Sequence, residues 1–253
     1  MTDNNINVVN KHLQFPQVSL KEPLETGFIL IAAEVDKKTS FWGESNTKKT
    51  LLVELKSLQT KLEKDNNVIE TTLFKASLFP PGRDGEYIKK RKQSKSFHIA
   101  YDIVLLIELK SIEKIEELKT TNGFTEIINE IEKSSSYHFI FNAKNIRRID
   151  SVNHKKNGVF LFNFFVAESK EQNLGIWEYT AGWFQNQTNL DNSTLFDSVD
   201  SQQNTYSVIN HCRWDSFLDI LPSLIFKKTF KTYVLDNFEA NDVAAIPILY
   251  KLA

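Results

Sequence analysis

YSVINHCRWDSFLDILPSL, residues 206–224, changes its period half-way along. Up to Trp214 the residues alternate in the two-residue rhythm of a strand. From Asp215 the apolar residues fall at helical spacing, with Ser216 placed to cap the first turn. The first half of the chain repeats the construction: LKSIEKIEEL, from Leu109, aligns with WDSFLDILPSL, from Trp214, once one gap near the end is allowed, and Ser111 stands where Ser216 does. A strand that runs straight into a helix therefore occurs once in each half.

Working outward, the same element order appears twice. In the first half GFILIAAEV (27–35) is of strand length, and residues 47–65 carry Leu51, Leu55, Leu58 and Leu62 at helical spacing. Two strands follow, at 68–79 and 96–109, with a long polar loop between them. A helical region from Ser111 to about Glu132, broken near Gly123, then leads into the strand SYHFIFNAK. In the second half GVFLFNFFVAE (158–168) precedes the helix EQNLGIWEYTAGWFQNQT, a short strand at 193–199, the opening strand and its helix. The closing stretch holds KTYVLDNF and AAIPILYKL, the latter read as a tail against the sheet. Strand, helix, strand, strand, helix, strand, twice over, predicts an α+β chain of two fused ferredoxin-like βαββαβ repeats. The expected divisions are an N-terminal extension (1–26), a first repeat (27–150) and a second (151–253), their sheets packed as in a dimeric α+β barrel.

Three stretches resemble a set of uncharacterised bacterial proteins of that barrel superfamily: NIRRIDSVNHKKNGVFLFNFF (145–165), WEYTAGWFQNQTNLDNSTLF (177–196) and VINHCRWDSFLDILPSL (208–224). They cover most of the second half and little of the first. The superfamily includes small monooxygenases, EthD-like proteins, stress-responsive barrel proteins, chlorite dismutases and dye-decolorizing peroxidases. The resemblance implies a fold and no particular reaction.

Composition narrows the function classes. With 31 Lys plus Arg against 32 Asp plus Glu, no global field draws the chain to nucleic acid, so that partner is not expected. One cysteine excludes an internal disulfide framework and Cys-rich metal motifs, and a reducing, cytoplasmic setting is expected. Neither a secretory leader pattern nor an apolar run of spanning length is present, so no membrane partner is expected. No pair of histidines has close metal-ligand spacing, and no metal site is expected.

The candidate site rests on strand alternation. The apolar face Phe160, Phe162, Phe164 and Val166 is assigned to the helices, which sends Asn163 toward the barrel interior. On the opening strand the same rule sends Cys212 and Trp214 toward the helices and His211 and Arg213 inward. Across the repeat Leu106 corresponds to His211, and Glu108 to Arg213. Asn163, His211 and Arg213 would then converge on a small-molecule ligand, with Glu108 as Arg213's partner. A purely structural Arg213 to Glu108 bridge is the alternative reading. His211 is the candidate general base and, through the haem-binding relatives of the barrel, a candidate axial ligand. GRDG (82–85) has one residue fewer between its glycines than the peroxidases' GxxDG and reads as a turn. The basic tract Lys89 to Lys95 offers a lid or a solvated loop, and Trp183 a pocket closure or an oligomer contact. Cofactor-independent oxygenation, proton transfer and non-catalytic binding all remain open, as does a structural oligomer.

Overall fold

A computed structural model describes residues 6–80, 98–200 and 205–253; the Lys89 to Lys95 tract and the Gly82 to Gly85 turn lie outside the described residues. The strands are β1 (Gly27–Glu34), β2 (Val68–Leu78), β3 (Ile103–Leu109), β4 (Tyr137–Arg148), β5 (Val159–Ala167), β6 (Thr194–Ser198), β7 (Val208–Trp214) and β8 (Val243–Leu252). The helices are α1 (Asn46–Leu62), α2 (Lys114–Lys119), α3 (Asn122–Ser134), α4 (Lys170–Thr188), α5 (Phe217–Phe226) and α6 (Asp236–Glu239), with a π-helical turn at Phe230–Leu235.

The strands close into one barrel in the order β1-β3-β2-β8-β5-β7-β6-β4. Cut at its two seams, this is β4-β1-β3-β2 and β8-β5-β7-β6: in each half the first strand lies between the third and the fourth, the ferredoxin-like order. The seams are antiparallel pairings of β2 with β8 and of β4 with β6, so the halves join edge to edge and leave no free strand edge. AAIPILYKL is thus no tail. It is β8, paired with both β2 and β5, and Pro247, which has no amide to give the ladder, lies in register opposite Asn163.

Three apolar layers follow. The barrel interior holds Phe28, Leu30, Phe74, Leu106, Phe160, Phe162, Phe164 and Tyr250, drawn from both halves. One outer layer packs α1 and α3 on the first half; the other packs α4 and α5 on the second. This corrects the expected facing of β5: its phenylalanines point inward, and Leu161 and Phe165 point to the helices. Both faces are buried, so apolar character did not discriminate between them. On β7, Ile209 is in the interior while Val208, Cys212 and Trp214 lie in the helix layer.

Local chemistry sets the element ends. Ser216 caps α5 in a capping box with Asp219. Ser111 does not cap in this way: the N-cap of α2 falls at Glu113, to whose carboxyl Ser111 is hydrogen-bonded, and the Ser111 carbonyl accepts from Lys114 N. The break between α2 and α3 lies before Gly123, where Thr121 Oγ1 accepts from Phe124 N. The N-terminal segment is tied to the second half: Asn237 and Asn241 accept from Val9 N and Asn7 N, and Phe15 stacks edge-on to Tyr233. Gly182 permits that docking, since a Cβ there would stand 1.8 Å from the Pro16 carbonyl oxygen. On the other half, Lys48 of α1 meets Asp102 at 2.9 Å with both side chains fully buried, and Asp102 also accepts from Val35 N and Asp36 N.

Candidate functional site

Strand β7 brings His211 into the interior, fully shielded from solvent and stacked on Phe162, its register partner on β5, at 4.0 Å between ring centroids. The equivalent pair in the first half is Leu30 and Leu106. An apolar contact in one half is replaced by a polar one in the other.

His211 is not alone. The turn between β4 and β5 delivers His154, whose Nε2 lies 2.9 Å from His211 Nε2, and His154 Nδ1 lies 2.6 Å from Glu70 Oε2 on β2. His211 Nδ1 lies 2.9 Å from the Leu161 carbonyl oxygen. These contacts assign the protons. A carbonyl can only accept, so His211 Nδ1 donates and His211 Nε2 is the acceptor. His154 Nε2 donates to it and, with Glu70 ionised, His154 Nδ1 donates to the carboxylate. The chain then reads carboxylate, imidazolium, neutral imidazole. The shifts agree with it: the hydrogen bond from His154 holds the Glu70 carboxyl below its ordinary value, while burial, aided by the charge of His154, pushes His211 well below 6.5.

Glu108 completes the cluster. It lines, with His154, His211 and Thr194, a cavity of about 90 Å³ whose apolar walls include Phe28, Leu106 and Phe196. Burial raises the Glu108 carboxyl above its usual range, against the hydrogen bond it accepts from Thr26 Oγ1 at 2.9 Å. Two carboxyls near one imidazole therefore shift in opposite directions. Such separation of paired groups is how one site holds an acid and a base at the same pH.

The other sequence-derived candidates lie elsewhere. Asn163 is on the helix face of β5, opposite Asn210, and lines a separate space of about 40 Å³ between the sheet and α4. Its Oδ1 has no hydrogen-bond partner, and that space has room for about one water. Trp183 is fully buried in the layer between the sheet and the helices, where its Nε1 donates to Thr229 Oγ1. Arg213 does not reach Glu108. It donates to the Lys156 and Asn157 carbonyls and pairs with Asp215 at 2.6 Å, because at the end of β7 its long side chain finds the carbonyls of the β4–β5 turn. Arg213 thereby anchors the turn that presents His154. Gly158 allows this approach, since a Cβ there would lie 2.4 Å from the Trp214 carbonyl oxygen and 2.8 Å from Arg213 Nε. Cys212 is buried in the helix layer, where burial pushes its thiol up.

No family model matches the chain, and no curated protein matches it in sequence. Solved structures do. An anthrone oxidase-like protein superimposes with a TM-score of 0.62 at 8% identity, over 91% of this chain and 92% of that one. A candidate monooxygenase of Fusobacterium nucleatum gives 0.54 at 9% identity, over 90% and 91%. The chain has the dimeric α+β barrel fold. A ferredoxin-fold protein of Listeria monocytogenes related to antibiotic biosynthesis monooxygenases covers 91% of this chain at 12% identity with a TM-score of 0.43. Haem, the cofactor entertained for a dimeric α+β barrel, does not fit around His211: its Nε2 is taken by His154 and the adjoining cavity is far smaller than a porphyrin. Among the described residues no three His, Cys, Asp or Glu side chains converge as a metal site, and no helix is long and apolar enough to cross a membrane. Sequence reasoning missed His154 and Glu70 because the turn and the strand that carry them meet β7 only through barrel closure.

Proposed function

We propose that this end of the barrel binds a small, partly apolar molecule and transfers a proton to or from it. The observation that carries the reading is the placement of Glu108, its carboxyl raised by burial, in one cavity with His154 and His211, the two imidazoles of the hydrogen-bonded chain that ends at Glu70. The roles follow from the protons already assigned. Glu108 gives its proton to a ligand carbonyl oxygen, and the carboxylate left behind, held by Thr26 Oγ1 and by the positive charge of His154, takes a proton from the adjacent carbon, which leaves the enol and restores the acid. His211 and Glu70 hold His154 by its two ring nitrogens, and Arg213 secures its turn. A cavity of about 90 Å³ admits only a few heavy atoms, against about 300 Å³ or more for a drug-sized ligand. A larger molecule would therefore enter by its reactive end alone. The anthrone oxidase-like and monooxygenase neighbours are similar in fold alone, so the reading rests on the site's own residues.

The test needs no known substrate. Freshly purified protein is taken through native mass spectrometry for a co-purifying molecule. Deuterium uptake next to the carbonyl of cyclohexanone, in heavy water, is then followed for wild type and Glu108→Gln. Uptake above background that falls by about a hundredfold in the variant supports the proposal. Binding that persists in both with no exchange favours the non-catalytic binder. Neither binding nor exchange sinks both readings.

A further inference from the structure

Among the described residues, nothing covers the large apolar side chains on the outer face of α5. Leu218, Ile225 and Phe226 are 81%, 66% and 79% exposed, and Pro222 is exposed between them. At spacings of four, seven and eight residues from Leu218 they form a single stripe. The opposite face is occupied, with Ile220 and Ser223 buried against the second half. An exposed stripe of this kind marks a contact surface rather than chance.

The charges at its two ends differ in sign. Asp215 and Asp219 stand exposed at the N-terminal end, and Lys227 and Lys228 stand exposed at the C-terminal end. We infer that α5 is the centre of a two-fold homodimer interface, with the helix lying antiparallel to its counterpart in a second copy. A two-fold axis near Pro222 sets the apolar stripe against itself. It also brings the acidic end of one copy to the basic end of the other twice over, and it opposes the helix dipoles. Self-complementarity of this kind is what an isologous contact requires. A bilayer fits the patch less well, because Asp215 and Asp219 would be driven against anionic headgroups at the same surface. The inference is independent of the chemistry proposed inside the barrel.

Sedimentation equilibrium of the full chain over a range of concentrations and salt reads the association. A dimer is expected. Phe226→Lys should convert it to monomer with the far-ultraviolet circular dichroism unchanged. Lys227→Glu/Lys228→Glu and Asp219→Lys should each weaken it by about tenfold or more, by placing like charges at both contacts. Mixing those two variants restores opposite charges at both ends of the heterodimer, so association should return; thermal melts check that each variant remains folded. A wild type that stays monomeric, a dimer indifferent to Phe226→Lys, or failure of the mixture to re-associate overturns the inference. Co-sedimentation with phosphatidylserine vesicles that is lost in Phe226→Lys, in a protein otherwise monomeric, would assign the stripe to a membrane surface instead.

Discussion

Replacing His211 by leucine, the residue at the equivalent place on β3, should flatten the acid limb of the protein's stability. In the folded state His211 is neutral, since its pKa is pushed well below 6.5 by burial and by the adjacent His154 cation. In the unfolded chain it titrates normally. Its folded pKa is depressed, so the unfolded state binds the extra proton. Stability is fully present above the unfolded pKa and is lost as the pH falls below it. With the folded form still neutral, the loss accumulated at pH 5 relative to neutral pH is about 2 kcal/mol. Glu70 acts in the same direction but in a lower window, since the contribution of a depressed carboxyl is lost only below its ordinary value of 4.5. The two effects separate on the pH axis. The assay is urea unfolding followed by tryptophan fluorescence at several pH values between about 7.5 and 5, with the difference between wild type and His211→Leu plotted against pH. Absolute stabilities are immaterial, because removing two hydrogen bonds shifts the variant at every pH. Parallel curves would refute both the proton assignment and the burial argument behind it.

Asp102→Ala strands the buried Lys48 ammonium and two backbone amides, and should cost about 3–5 kcal/mol, seen as a drop in melting temperature of about 10 °C. Adding Lys48→Met to it should recover part of that loss. Arg213→Met removes the donors to the Lys156 and Asn157 carbonyls; a loss of about 1–3 kcal/mol is expected, with faster amide exchange in the turn that carries His154. Gly182→Ala forces a methyl group into the Pro16 carbonyl and should loosen the N-terminal segment at a cost of about 1–3 kcal/mol, visible as earlier proteolytic clipping of that segment.

The strand order was legible because each repeat carries its own signature: the change from period two to helical period at Leu109 and again at Trp214 places β3 and β7 identically in the two halves. The facing of β7 was legible as well, since His211 and Arg213 break the apolar pattern on one side. The facing of β5 was not. Phenylalanines occupy both of its faces, both are buried, and the one polar residue, Asn163, sits in the helix layer with an unsatisfied oxygen rather than in the interior. Pro247 disguised a barrel strand. His154 lies in a turn, where no periodicity points a side chain anywhere, and its partner Glu70 is separated from it by most of the first half. Local pattern specifies which residues share a strand face. Only closure of the barrel specifies which strands look at one another.

The seams where β2 meets β8 and β4 meets β6 are of the kind that two separate subunits could supply. Had they done so, every substitution would appear twice in the barrel, and a histidine at the position of His211 would bring a second one at the position of Leu106. Covalent linkage lifts that constraint. One chain can keep Leu106 in one half and set His211 at the equivalent place in the other, so the halves bring different groups to one cluster, Glu70 and Glu108 from the first and His154 and His211 from the second, which no assembly of identical subunits can do.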